Sequence, residues 1–176
     1  MSGSSDLEAV TRLLGRIPSA DFEVVARNAA GEPSVICNAP LMHDGTPMPT
    51  LYYLVDPQLV RLVGRLEAAG GVRRAEEEIG LAEIEEVHQR YARERDARID
   101  PEWSGPRPRG GVGGTRRGLK CLHAHYAYHL AGGDDPVGRW VQVHLGDTQR
   151  DGEAEGSAGR DRTRPGTRSN PDDRQE

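Results

Sequence analysis

Thr50-Leu51-Tyr52-Tyr53-Leu54-Val55-Asp56-Pro57-Gln58-Leu59-Val60-Arg61-Leu62-Val63-Gly64-Arg65-Leu66 changes its periodicity partway along. Thr50 to Val55 is dense in β-branched and aromatic residues, which pack well on a pleated surface, so it reads as a strand. Asp56-Pro57 then offers a side-chain acceptor to the first free amides of a helix, and a proline whose fixed φ suits its first turn. Leu59, Leu62, Val63 and Leu66 recur at helical spacing until about Ala69, where Gly70-Gly71 ends the run. A strand that hands over to an amphipathic helix sets a sheet against helices.

The flanking sequence extends that pattern. Phe22 to Arg27 and Ser34 to Asn38 are short β-prone runs around Asn28-Ala29-Ala30-Gly31, the signature of a hairpin. Ahead of them, Ser5-Asp6-Leu7-Glu8 fits a capping box for a helix carrying Leu7, Val10, Leu13, Leu14 and Ile17 up to Pro18. Asp44-Gly45-Thr46-Pro47-Met48-Pro49 reads as a turn followed by extended chain, because each proline drives its predecessor out of the helical region. Downstream, a helix is expected over Leu81 to Arg98 with Ile84, Val87, His88 and Tyr91 buried. Another is expected over Leu119 to Ala131, and a short one after Asp135-Pro136 carrying Trp140, Val141 and Leu145. The charged stretch Arg73 to Arg98 reads as a solvated helical face. The expected fold class is α+β: a small antiparallel sheet of about three strands packed with four to five helices.

At 176 residues the chain is long enough for one domain with a real core. That domain is placed at 1–146. Residues 147–176 hold eight acids and six arginines and no aromatic residue. Such a segment buries too little apolar surface to offset its ordering entropy, so it is expected to be a disordered tail. The net charge of −5 argues against a dedicated DNA-binding protein, and nucleic acid is not an expected partner. Two cysteines far apart make no disulfide framework and fit reduced thiols. Met1 to Asp6 has no apolar h-region, and no apolar run approaches membrane-spanning length. The expected setting is the cytoplasm.

Chemistry concentrates in one region. Lysine and arginine total 23, and Lys120 is the only lysine, leaving 22 arginines. Lys120 opens the run Lys120-Cys121-Leu122-His123-Ala124-His125-Tyr126-Ala127-Tyr128-His129. Ahead of it, Arg107, Arg109, Arg116 and Arg117 alternate with Gly110, Gly111, Gly113, Gly114 and Gly118. Glycine admits close backbone approach, and a helix N-terminus offers unpaired amides with a positive dipole end, so the combination suits a phosphate or carboxylate. It is not a Walker A loop, since Leu119 interrupts the glycine–lysine pair and no strand precedes it.

Two other chemistries fit the same run. On a helix, Cys121, His125 and His129 share one stripe at i, i+4 and i+8, a zinc-competent set that Cys37, His43, Asp44 or His88 would complete. Tyr126 stands where a metalloprotease needs glutamate. Cys121 and His123 would point to nearly opposite sides of that helix, with His123 on the core face. A nucleophilic Cys121 in a first helical turn beside Lys120 would have a lowered thiol pKa, but the phosphatase arginine six residues on is Ala127.

The strings Asp44-Gly45-Thr46-Pro47-Met48-Pro49-Thr50-Leu51-Tyr52-Tyr53-Leu54, Arg65-Leu66-Glu67-Ala68 and Gly113-Gly114 followed by Lys120-Cys121-Leu122-His123 resemble the bacterial "domain of unknown function 501" family. The resemblance covers about residues 10 to 145. It implies no activity. Genes of that family commonly lie beside a septum-formation gene and an exopolyphosphatase gene, an association with division or phosphate metabolism. The family pattern carries a cysteine after the first strand, where this chain has Arg27-Asn28-Ala29. His125 and His129 also depart from it, so Lys120, Cys121 and His123 are the residues that carry over.

The leading expectation is an anionic, phosphorylated ligand held by Arg109, Gly113, Gly114, Arg116, Arg117, Lys120, Asp44 and Tyr52. Cys121 and His123 are the catalytic candidates if chemistry occurs. The alternatives are a non-catalytic module with a protein partner in cell division, and a zinc domain using Cys121, His125 and His129. The sequence assigns no cofactor.

Overall fold

The structure, a computed structural model, describes residues 4–146. The expected tail at 147–176 lies outside them. Three antiparallel strands, β1 (Phe22–Arg27), β2 (Pro33–Asn38) and β3 (Tyr52–Leu54), form one sheet in the order β1-β2-β3. Helix α1 (Ser4–Leu14) precedes them. Helices α2 (Pro57–Ala68), α3 (Gly71–Ile79), α4 (Leu81–Asp96), α5 (Leu122–Leu130) and α6 (136–146) follow, with a single 3-10 turn at Val112–Gly114. The α+β expectation is what the chain forms.

Local chemistry accounts for most of these bounds. Asn28 Oδ1 accepts from the amides of Ala30 and Glu32 at 3.0 and 3.1 Å, closing the β1–β2 hairpin over Gly31. Asp56 caps α2 through the amides of Gln58 and Leu59 at 2.8 and 3.1 Å. Its burial raises the carboxyl pKa, but the Asn28 amide and the two backbone N–H groups outweigh that and hold it below the usual range. Asp135 caps α6 by accepting from the amides of Val137 and Gly138.

Four expectations need correction. The first helix stops at Leu14 rather than near Pro18, because Gly15 takes a positive φ of 69°, and Ile17 is left exposed. Gly70-Gly71 ends α2 as expected, but only Ala69 and Gly70 separate it from a further helix, since Gly70 turns left-handed and α3 starts at once. Helix α5 begins at Leu122, with Cys121 extended at its N-cap, three residues later than periodicity suggests. The last correction concerns α4: Arg95, read as part of a solvated face, is 1% exposed.

The sheet carries apolar residues on both faces. Ile36 and Phe22 pack with Val10 of α1 and Val55, while Val35, Cys37, Tyr52 and Leu54 join the larger core beneath α2 to α6. β2 is therefore buried along its whole length, as a central strand should be. Within the larger core, Tyr91 of α4 anchors the start of β3. Its hydroxyl oxygen accepts from the amides of Leu51 at 2.6 Å and Tyr52 at 3.3 Å. Burial pushes that hydroxyl up to about 12, so it stays a neutral acceptor at any physiological pH.

Tyr91→Phe keeps the ring and deletes the acceptor, leaving two amides facing a hydrocarbon edge. The expected loss of stability is about 1–3 kcal/mol, the usual cost of stranding buried donors. Urea unfolding followed by circular dichroism checks it, and an unchanged midpoint would contradict the anchoring role.

Candidate functional site

One face of α4 holds the glycine- and arginine-rich segment in place. His88, Tyr91 and Arg95 follow at i, i+3 and i+7, all buried, so their polar atoms point the same way. Arg95 donates to the carbonyls of Gly110 at 2.8 Å and Pro108 at 3.4 Å, and pairs with Asp96 at 2.9 Å. His88 Nδ1 accepts from the amide of Val112 at 3.1 Å, which places the ring hydrogen on Nε2. Nε2 then donates to the carbonyl of Gly118 at 2.8 Å. One imidazole thus ties together positions 112 and 118. A Cβ on Gly111 would lie 2.3 Å from the Cβ of His88, so the backbone reaches the ring only because residue 111 is glycine.

Two glutamates finish the job. Glu76 of α3 accepts from the amide of Leu119 at 2.6 Å, and Glu67 of α2 accepts from the amide of Leu122 at 2.5 Å. Glu67 therefore caps α5 from another helix, with a carboxylate where the macrodipole favours negative charge. The same oxygen lies 3.1 Å from His123 Nδ1, while His123 Nε2 donates to the carbonyl of Val60 at 3.0 Å.

This scaffold borders a cleft of about 390 Å³ lined by Thr50, Tyr52, Tyr53, Leu54, Val60, Gly113, Lys120, Cys121, His123 and Ala124. Lys120, Cys121, His123, Tyr52 and Gly113, all singled out by sequence, meet there. Lys120 is exposed and has no hydrogen bond or ion pair among the described residues. Arg109, Arg116 and Arg117 are also exposed and unpaired but lie outside the lining. Gly114 packs against Pro49 instead, where a Cβ would come within 3.1 Å of the proline.

Several candidates have other tasks. Asp44 closes its own turn by accepting from the amide of Thr46 at 2.9 Å, which holds its carboxyl below the usual range. Tyr52 donates its hydroxyl to Glu94, and burial followed by that bond raises its pKa. What it lends the cleft is wall, and the exposed hydroxyl there belongs to Tyr53. Much of the expected amide cradle is occupied too. The amides of Gly111, Val112, Gly114, Thr115, Leu119 and Leu122 all donate within the protein.

The Cys121, His125 and His129 stripe does not come together. Cys121 precedes the helix, so the i, i+4 spacing never starts. His125 is buried with Nδ1 2.8 Å from Asp135 Oδ2, and His129 lies beneath α6, where a Cβ on Gly138 would sit 2.3 Å from its own Cβ. Instead, Glu67, Cys121 and His123 present donor atoms within 4.8 Å of one another. The expectation that Cys121 and His123 diverge is corrected by the same N-cap geometry. Sequence reasoning missed Glu67, although its string Arg65-Leu66-Glu67-Ala68 is part of the family resemblance. It also missed Glu76 and Arg95, for which charge patterning gave no signal.

Burial lowers the pKa of His88 below 6.5, outweighing the Gly118 bond that raises it. A depressed folded-state value means that the unfolded chain binds the proton more readily. Stability is then fully present above about pH 6.5 and declines as pH falls through the folded pKa. Protonation also takes away the lone pair that receives the Val112 amide. The wild type is expected to lose more stability than His88→Gln between about pH 7.5 and 5.5, in paired urea titrations. Equal losses would refute the neutral-acceptor role.

Among the described residues, no helix is long and apolar enough to cross a membrane. Neither the curated proteins nor the solved structures contain a match to this chain. The pattern of the family described as "Protein of unknown function (DUF501)" matches residues 24–143, a span that holds all of the sheet but the first two residues of β1, the pinned segment and every residue lining the cleft. The chain belongs to that family.

Proposed function

We propose that the cleft between β3, the start of α2 and the N-terminus of α5 binds a small anionic ligand of the phosphorylated class. One observation carries the reading: Lys120, the sole lysine of the chain, lines the cleft and has no partner among the described residues. In a chain of net charge −5, acidic groups are available to neutralise surface cations. Arg116 and Arg117 nearby are equally unpaired, which concentrates positive potential at this edge of the segment.

The ammonium is a compact charge on a flexible stem, suited to meeting a phosphate oxygen without fixing its orientation. The Tyr53 hydroxyl and the amide of Gly113 supply further polar contacts along the wall. Leu54, Val60 and Ala124 leave room for an apolar or ring portion. Because Arg95, His88, Glu76 and Glu67 hold the segment, little ordering entropy is lost on binding.

A thermal-shift series with inorganic phosphate, pyrophosphate, tripolyphosphate and nucleotides tests this. A binder at roughly tenfold excess over Kd raises Tm by about 3 °C or more. Lys120→Ala is expected to remove the shift, and Lys120→Arg to retain part of it. Arg73→Ala, which loses a cation already paired with Glu77, should leave it intact. Absence of any shift in wild type, or a full shift in Lys120→Ala, would overturn the assignment.

A further inference from the structure

We infer that Glu67, Cys121 and His123 form a Zn²⁺ site in the wall of the cleft, with the fourth coordination position open to it. Among the described residues this is the set of carboxylate, thiol and imidazole donors close enough to share one ion, all within 4.8 Å of each other. Zinc bonds of about 2.0–2.3 Å in a tetrahedron put ligand atoms roughly 3.3–3.8 Å apart. The donors here lie within 4.8 Å of one another, close to that spacing.

The surroundings are those of a ligand set. His123 donates Nε2–H to the carbonyl of Val60 at 3.0 Å, which fixes the ring and leaves Nδ1 as the coordinating nitrogen. Glu67 is held by the Leu122 amide through Oε1, while Oε2 has no partner among the described residues. Capping explains the carboxylate, and an ion pair explains its contact with His123. Neither explains the thiol of Cys121, which has no hydrogen-bond partner among the described residues and lies half-buried beside them.

In the metal-free arrangement Nδ1 and Oε1 lie 3.1 Å apart. Zn²⁺ binding there displaces the thiol proton, and any proton held between Nδ1 and Oε1, to solvent. The thiolate and carboxylate together then match the charge of the ion. Three protein ligands and an open position facing a cleft are the pattern of zinc sites that bind an exogenous ligand. Cys121 and His123 both line the cleft, so an ion between them is reachable from it.

The test uses full-length protein made without a polyhistidine tag, in phosphate-free buffer, so its outcome does not depend on anion binding. Zinc content after dialysis against Zn²⁺ is expected to approach one equivalent. Co²⁺ titration is expected to give tetrahedral d–d bands and a thiolate-to-cobalt charge-transfer band. Cys121→Ser should abolish the charge-transfer band, and Glu67→Gln, which keeps an acceptor for the Leu122 amide, should cut occupancy below about 0.1 equivalent. His129→Ala should change neither. Far-ultraviolet circular dichroism confirms that each variant is folded. Zinc content below about 0.1 equivalent in wild type with no cobalt charge-transfer band, or undiminished binding in Cys121→Ser, would overturn the site.

Discussion

The buried polar edge of α4 is the constraint on which the rest of this structure depends. A helix face that meets a core is ordinarily apolar, yet His88, Tyr91 and Arg95 put an imidazole, a phenol and a guanidinium there. Each polar group bonds to backbone, and Arg95 pairs with the Asp96 carboxylate besides. Burying such groups without partners would cost several kcal/mol each, so the helix can occupy this position only if the strand and the segment it bonds are in register. The coupling runs both ways. Glycine at 111 lets the backbone approach His88, and His88 in turn holds that backbone still.

The proposed function rests on what remains unbonded after that pinning. In the segment from 110 to 123 the amides of Gly111, Val112, Gly114, Thr115, Leu119 and Leu122 are committed within the protein, which narrows any amide cradle and shifts the weight to side chains. At its end stand an ammonium with no partner among the described residues, a thiol and an imidazole within one cleft, backed by a carboxylate from α2. Held rigidly, these groups would meet the proposed ligand with little reorganisation. Loops on rigid scaffolds carry binding groups in many folds, and here four side chains from three helices supply the rigidity.

The sequence was legible where its signals are local. Asp56-Pro57 and Asp135-Pro136 each announce a cap and a helix because acceptor, proline and amides lie within three residues. Asn28 and Gly31 mark the hairpin for the same reason. Lys120, Cys121, His123 and Tyr52 meet at one cleft because β3 packs against α5. What escaped were side chains acting over long sequence separations: Glu67 reaches 55 residues to Leu122 and Glu76 reaches 43 to Leu119. On a helix with so many charges, periodicity assigns such residues to solvent, and Arg95 was hidden among equally charged neighbours. The misplaced start of α5 has a related cause. Leu119 and Lys120 are good helix formers, but Glu76 and Glu67 fix where the amides are capped, and tertiary contact outweighs propensity.

Amide hydrogen exchange tests the central claim most directly, since it reads opening of the pinned segment residue by residue. The amides of Val112, Leu119 and Leu122 are expected to exchange slowly, near the rate of the α4 interior, while Arg116 and Arg117 exchange freely. Uniformly rapid exchange from 110 to 122 would contradict the account, because the segment would then not be held by α4 and its two glutamate partners.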